Sequence, residues 1–347
     1  MSRVDLAVPA VRPAELRTAL EQALREHFGT PCRVLELERR PSAYGSSFTI
    51  EELDVRLDDG TALQVMFKNL SRGALLGDAR RVKPAFLYNG MREIDAYRVI
   101  LAPSGLGTAI CYGAFVDHRV GRYWLFLEKV PGVELYQIGE LPVWQHVARW
   151  LAAMHTRFAG QSEALIAART VPLLTYDADF YRRWLRRARA FVRQTHPSGT
   201  GNAPRSIEWL VGRYDQVVER LMALPVTFIH GEFYASNVLV QETAAGLRVC
   251  PVDWEMAAVG PALIDLAALT AGRWNEGERK ALALAYFSAS GELGWRSTPD
   301  VFFTALDCCY LHLAIRWLGW SAEWSPPAEH AQDWLAEALR VAERLEI

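Results

Sequence analysis

Between Phe228 and Glu255 the chain gathers oxygen-bearing side chains on a frame of apolar strands. The run Phe228-Ile229-His230-Gly231-Glu232-Phe233-Tyr234-Ala235-Ser236-Asn237-Val238-Leu239-Val240 sets one carboxylate and one amide in a polar loop between two apolar stretches. Cys250-Pro251-Val252-Asp253-Trp254-Glu255 then ends another apolar strand on a second carboxylate. Hard oxygen donors of this kind suit Mg²⁺, which makes Asn237 and Asp253 the candidate ligands. A loop carboxylate such as Glu232 can orient an attacking hydroxyl. Phosphoryl transfer asks a protein for these two parts and for a cation on the phosphates.

Such groups need elements to position them. Pro13 to Phe28 reads as a helix, with Pro13 in its first turn, Leu16, Leu20 and Leu24 on one face, and Gly29 placed to end it. Cys32–Glu38, Phe48–Leu57 and Ala62–Asn69 alternate as strands, and Asp58-Asp59-Gly60 signals a hairpin turn. A helix from about Asn89 to Leu101 follows, broken by Pro103, Gly105 and Gly107. Ile110–Val116 and Tyr123–Val130 complete five strands. After Pro131-Gly132 the pattern turns mostly helical, with predicted helices at Trp144–Phe158, Asp179–Gln194, Ile207–Leu224 and from Ile264 onward. Short strands are expected at Thr227–Ile229, Val238–Val240 and Leu247–Val252. The expected division is residues 1–130 and 131–347; the resemblance described next implies a nucleotide-binding lobe for the first and, for the second, a helical lobe carrying the catalytic loop, metal site and substrate pocket.

On these residues the chain resembles the aminoglycoside phosphotransferase and choline kinase-like superfamily. Its loop is similar to that family's H-G-D-x-x-x-x-N, Asp253-Trp254-Glu255 to its D-[FW]-[ED], and Gly260–Ala267 to its G-x-x-x-x-D-[LI]-A segment. The resemblance spans about residues 33 to 270. It implies an α+β, two-lobed protein kinase-like fold: a five-stranded antiparallel sheet with a helix, then a larger helical lobe. It also implies ATP with Mg²⁺ and a small-molecule alcohol as acceptor. Lys68, ending the third strand, resembles the lysine that contacts the α- and β-phosphates, and Glu93 the helix glutamate that pairs with it. Arg92 and Asp95 are nearby alternatives to Glu93. Ser42, Gly45 and Ser46 would lie over the phosphates, where small residues let backbone N–H groups approach an anion. Glu128 and Val130 would form the hinge against the adenine edge. His230 and Asp265 are expected to brace the loop, and Glu255 is either a ligand of a second metal or a local support.

The departure is at Glu232, where the family carries aspartate. One extra methylene moves the carboxylate by roughly 1.5 Å, and a misplacement of ~1 Å can cost on the order of a hundredfold in rate. Either loop and substrate are adjusted to glutamate, or the protein binds nucleotide and catalyses poorly, as a pseudokinase would. Only eleven residues separate Asp253 from Asp265, which leaves little room for a peptide platform.

Composition narrows the partners. A net charge of -2 over 347 residues gives no reason to expect nucleic acid or an anionic membrane. No unbroken apolar run approaches the ~18 residues of a membrane span, and no signal peptide is read at the N-terminus. Five scattered cysteines without C-x-x-C fit reduced thiols in a cytoplasm, and Cys308 and Cys309 read as core. Tyr181–Arg189 is strongly basic, which reads either as a solvated helix face or as a wall favouring an anionic or neutral acceptor. Trp317, Trp320, Trp324 and Trp334, with Tyr310, either pack the helical lobe or line an apolar acceptor pocket. ATP versus GTP and the oligomeric state stay open.

Overall fold

Antiparallel pairing of five strands builds the first of two compact units, Met1–Gly132 with Gln241–Glu255. The computed structural model describes residues 11–44, 47–161, 164–165, 170–196, 202–272, 274–294, 296–320 and 332–347. In this unit α1 (Pro13–Phe28) precedes β1 (Val34–Pro41), β2 (Ile50–Leu57) and β3 (Ala62–Asn69). Then come α2 (Gly77–Val82), α3 (Arg92–Asp95), β4 (Cys111–Asp117) and β5 (Arg122–Glu128). Helix α3 runs on through a π-helical segment, Ala96–Leu101, so the expected helix is present. Strand order is β1-β2-β3-β5-β4.

Period-two alternation decides what each strand presents. Leu53, Val55 and Leu57 of β2 and Val65 and Phe67 of β3 are buried in one apolar core with Leu16, Leu20 and Leu24 of α1. Each such side chain contributes roughly 1.5–3 kcal/mol when fully buried. Gly29 ends α1 in the left-handed region (φ 69°) and donates its N–H to Arg25 O. On β4, a Cβ at Gly113 would stand 2.8 Å from Ala23 Cβ, so only glycine lets α1 lie this close to the sheet. Because Phe67 faces this core, Lys68 faces the other side of the sheet, where it is buried as well.

The second unit, Val133–Val240 and Met256–Ile347, is larger and mostly helical. Residues 241–255 thus group with the first unit, whereas the sequence reading placed everything after 130 in the second. In chain order, β6 (Val133–Glu134), α4 (Leu141–Phe158), β7 (Leu174–Thr175) and α5 (Ala178–Thr195) come first. They are followed by α6 (Asn202–Val211), α7 (Tyr214–Met222) and β8 (Val226–Ile229), then by β9 (Val238–Thr243), which begins in this unit, and β10 (Gly246–Pro251), which belongs to the first. Last come β11 (Ala258–Pro261), α8 (Leu263–Thr270), α9 (Glu276–Glu292), α10 (Pro299–Trp320) and α11 (Trp334–Arg344). The single helix expected over Ile207–Leu224 is two, parted at Gly212-Arg213, and the first of them begins earlier, at Asn202. A small sheet, β7-β11-β8, carries the loop that starts at His230.

Helix α10 is 22 residues long and apolar enough overall to cross a membrane by length and composition, which a search for unbroken apolar runs does not reveal. Its most apolar window is 72% buried inside the protein. Cys308 and Cys309 lie on it in the core. At its C-terminal end a Cβ on Gly319 would stand 2.7 Å from the Trp184 ring, so α10 and α5 pack in near-contact.

Candidate active site

In the first unit, Lys68 is the centre of a buried charge cluster. Its Nζ lies 2.7 Å from Glu93 Oε1 and 2.6 Å from Asp253 Oδ1. Alternation on β3 supplies the lysine and the first turn of α3 the glutamate. Asp253 follows the strand β10 with φ 66°, a left-handed conformation that is uncommon for a residue with a Cβ. Burial pushes the Lys68 ammonium down, but the Asp253 and Glu93 carboxylates outweigh it and hold the group above its ordinary value. Burial pushes Glu93 up, against the pull of Lys68. Glu93 Oε1 also accepts the Trp254 N–H at 3.3 Å, while Oε2 is buried with no hydrogen-bond partner. Of the three acidic or basic candidates around position 93, Glu93 is the one that meets Lys68. Arg92 instead donates to Leu87 O and Glu255 O, each at 2.8 Å.

A second buried ammonium, which sequence reasoning missed, belongs to the same unit. Lys83 pairs with Glu255, and the Ser47 hydroxyl donates to the same carboxylate at 2.9 Å. Lys83 also lies 5.1 Å from the Phe48 ring centroid. Its signal was hidden in a polar stretch next to Arg80 and Arg81. Glu255 is therefore held by a lysine, a loop serine and, through its carbonyl, an arginine.

Of the loop expected over the phosphates, Ser42 donates its N–H to Ile50 O (3.0 Å), and its hydroxyl accepts the Tyr44 N–H at 3.2 Å. Gly45 and Ser46 lie outside the described residues. The Glu128 side chain is committed to Arg248 at 2.7 Å and to the Ile110 N–H at 3.0 Å. Although burial raises it, the arginine and this amide bring its carboxyl below the usual value. Val130, two residues on, is buried.

In the second unit, the loop after β8 is fixed from beneath. Asp265, fully buried in the first turn of α8, accepts the His230 N–H at 2.7 Å and the Gly231 N–H at 2.8 Å through its two oxygens. His155 Nε2 lies 3.2 Å from the same carboxylate. His230 Nδ1 accepts the Glu232 N–H at 3.2 Å, so the histidine braces the loop. Gly231 has φ 82°, and a Cβ there would meet Met256 O at 2.4 Å. Asn237 Nδ2 donates to Glu232 O at 3.0 Å, which fixes the amide relative to the carboxylate-bearing residue.

The residue that holds Glu232 is Arg316, from α10. Its Nη2 lies 2.5 Å from Glu232 Oε1, and its Nη1 donates to Gly231 O at 2.5 Å and to the Tyr176 hydroxyl at 3.2 Å. The Arg316 side chain is 2% exposed and Glu232 18%. Burial depresses the guanidinium, but Tyr176 and Glu232 lift it above its usual value. Nothing in the sequence around Arg316 singles it out, because it stands 84 positions from Glu232 in an apolar helix.

Among the described residues no group of three or more His, Cys, Asp or Glu could hold a metal ion. Asp253 carries the hard oxygens that Mg²⁺ selects, and Glu93 Oε2 is buried with no hydrogen-bond partner among the described residues. On α5 the arginines point to solvent partners: Arg182 pairs with Asp215, Arg183 and Arg186 with Asp179, and Arg189 and Arg193 with Glu208. Trp317 stacks on Trp334 at 5.3 Å and lies 5.4 Å from Tyr234, and Trp184 meets Trp320 at 5.5 Å, so these rings pack the helical unit. Trp324 lies outside the described residues.

The pattern of a phosphotransferase enzyme family matches residues 79–300. A structure described as a microcompartment-associated aminopropanol kinase is similar over 90% of this chain and 92% of its own, at 14% identity and a TM-score of 0.56. A Plasmodium vivax ethanolamine kinase matches over 90% and 82%, at 12% identity and TM-score 0.53. A spectinomycin phosphotransferase solved with ADP and spectinomycin matches over 97% and 98%, at 11% identity and TM-score 0.51. At these identities the likeness shows the fold, a two-lobed kinase-like one. No curated protein matches the chain by sequence.

Proposed function

Since the chain belongs to this phosphotransferase enzyme family, we propose that it moves the γ-phosphate of ATP onto a hydroxyl of a small molecule. The observation that carries the reading is the Lys68–Glu93–Asp253 cluster, in which a buried ammonium is held between two carboxylates. An ammonium so placed would bind the α- and β-phosphates, with Glu93 fixing its position. Ser42, Gly45 and Ser46 would cover the phosphates, and Glu128 and Val130 would flank the base. Asp253 would supply a hard oxygen for Mg²⁺, which when bound would neutralise charge on the phosphate oxygens. Glu232 would orient the acceptor hydroxyl and take its proton. Positioning matters more than strong basicity when the transition state is loose.

For the acceptor we favour a small neutral or amino alcohol. The similar structures are named for aminopropanol, ethanolamine and spectinomycin. Five arginines of α5 form ion pairs with exposed carboxylates and Arg187 donates to Gly319 O, which weakens the sequence's reason for an anionic acceptor. The scattered thiols are all free, in keeping with a cytoplasmic enzyme.

The test is Mg²⁺-dependent ADP release from the purified chain across a panel of amino alcohols, sugars and spectinomycin. ADP release that needs both Mg²⁺ and one of the alcohols is the expected result. Glu232→Gln should abolish that turnover while Mg-ADP still raises the melting temperature. A wild-type protein that Mg-ADP does not stabilise would end the reading. Nucleotide binding with no turnover on any alcohol would favour the pseudokinase.

A further inference from the structure

We propose that Arg316 is the positioning residue that adapts this site to a glutamate, holding the Glu232 carboxylate in the register needed to meet an acceptor hydroxyl. The inference rests on the phosphotransferase reading for its chemistry, and on the second unit alone for its geometry. Glutamate has one more rotatable bond than aspartate, so its carboxylate samples more positions and loses more entropy when fixed. The Arg316 guanidinium counters this at both ends of the side chain. Nη1 holds the carbonyl of Gly231, the residue just before, and Nη2 holds the carboxylate itself. A planar fork with several donors can do this, whereas an ammonium would satisfy one end at a time.

The arginine is itself fixed. It is buried on α10, with its Cζ 5.7 Å from the Trp184 ring centroid. Its third partner, the Tyr176 hydroxyl, belongs to a residue whose N–H donates to Val259 O at 3.0 Å. The chain of contacts therefore runs from the β7-β11-β8 sheet and the core helix to the carboxylate. An aspartate at position 232 would fall short of this fork by about one C–C bond, roughly 1.5 Å. The glutamate and the arginine thus form one coupled choice: either alone is misplaced.

The test uses the full chain with Arg316→Met, Arg316→Lys, Glu232→Asp and the double variant Glu232→Asp/Arg316→Met. The first readout needs no acceptor: backbone hydrogen exchange over residues 229–234 and over α10. Arg316→Met should speed exchange in the loop by at least about tenfold while α10 stays protected. Unchanged loop exchange, or loss of protection along all of α10, overturns the proposal. The second readout uses an alcohol that the wild type phosphorylates. Arg316→Met should lower kcat by about a hundredfold, the cost of a misplacement near 1 Å, with KM for ATP within about twofold. Arg316→Lys should recover part of kcat. Glu232→Asp should cost clearly less in the Arg316→Met background than in the wild type, and equal costs in both backgrounds overturn the coupling. If no alcohol is phosphorylated, the functional reading fails, while hydrogen exchange still decides the role of Arg316.

Discussion

Lys68 and Asp253, 185 positions apart in the chain, meet with 2.6 Å between ammonium nitrogen and carboxylate oxygen. Their contact closes the first unit's charge cluster, because residues 241–255 return to the sheet that carries the lysine. Two carboxylates share this one ammonium.

Lys68→Met should therefore do two separable things. It leaves Glu93 and Asp253 without their shared cation, and breaking a buried pair from one side costs about 3–5 kcal/mol. Thermal melting should show the fall. Adding Glu93→Gln removes one stranded charge and should restore much of the melting temperature without restoring Mg-ADP binding, read by calorimetry. Recovery of both together would deny Lys68 a role at the nucleotide.

Asp265→Asn should loosen the loop that follows β8. The carboxylate accepts two loop amides, at 2.7 and 2.8 Å, and an amide side chain offers a single acceptor oxygen. One loop N–H would then face a donor, at a cost of about 1–3 kcal/mol for a buried unsatisfied group. The expected outcome is a lower melting temperature and a reduced kcat, with KM for ATP little changed. A kcat equal to wild type would mean that His230 alone suffices to hold the loop.

His312, one turn before Arg316, should give the protein an acid-sensitive step. Burial, and next the Arg316 charge, push this imidazole down to about 3, so it stays neutral in the fold. Its Nδ1 lies 2.9 Å from the Tyr214 hydroxyl. In the unfolded chain a histidine binds its proton near pH 6.5. Between these values the unfolded state holds one more proton, so stability is full above about 6.5 and declines as pH falls toward about 3. The slope is about 1.4 kcal/mol per pH unit for one site. His312→Gln should flatten urea-unfolding stability across this window relative to wild type, and an equal slope in both would remove His312 as the source.

Local signals carried much of this molecule into view. Asp58-Asp59-Gly60 marks the turn between β2 and β3, and alternation alone puts Lys68 on the face opposite Phe67. The motif around Glu232 marks the loop that Asp265 then secures. What sequence could not show was pairing across long stretches of chain. Arg316 looks like one charge in an apolar helix until Glu232 stands beside it, and Lys83 looks like one of several surface cations until Glu255 reaches it. The break at Gly212-Arg213 escaped because the apolar period continues on both sides of it.

The near-contact of Gly113 with Ala23 bears on how far the chain can be trimmed. The family match begins at residue 79, so neither α1 nor the first three strands fall within it. Yet α1 roofs the sheet face formed by Leu53, Val55, Val65 and Phe67. A fragment cut to the family's limits would lose the strand bearing the ammonium. One begun just after α1 would keep that strand but bare an oily sheet to water, inviting self-association. Trimming away the leading helix should therefore drive the protein toward aggregation.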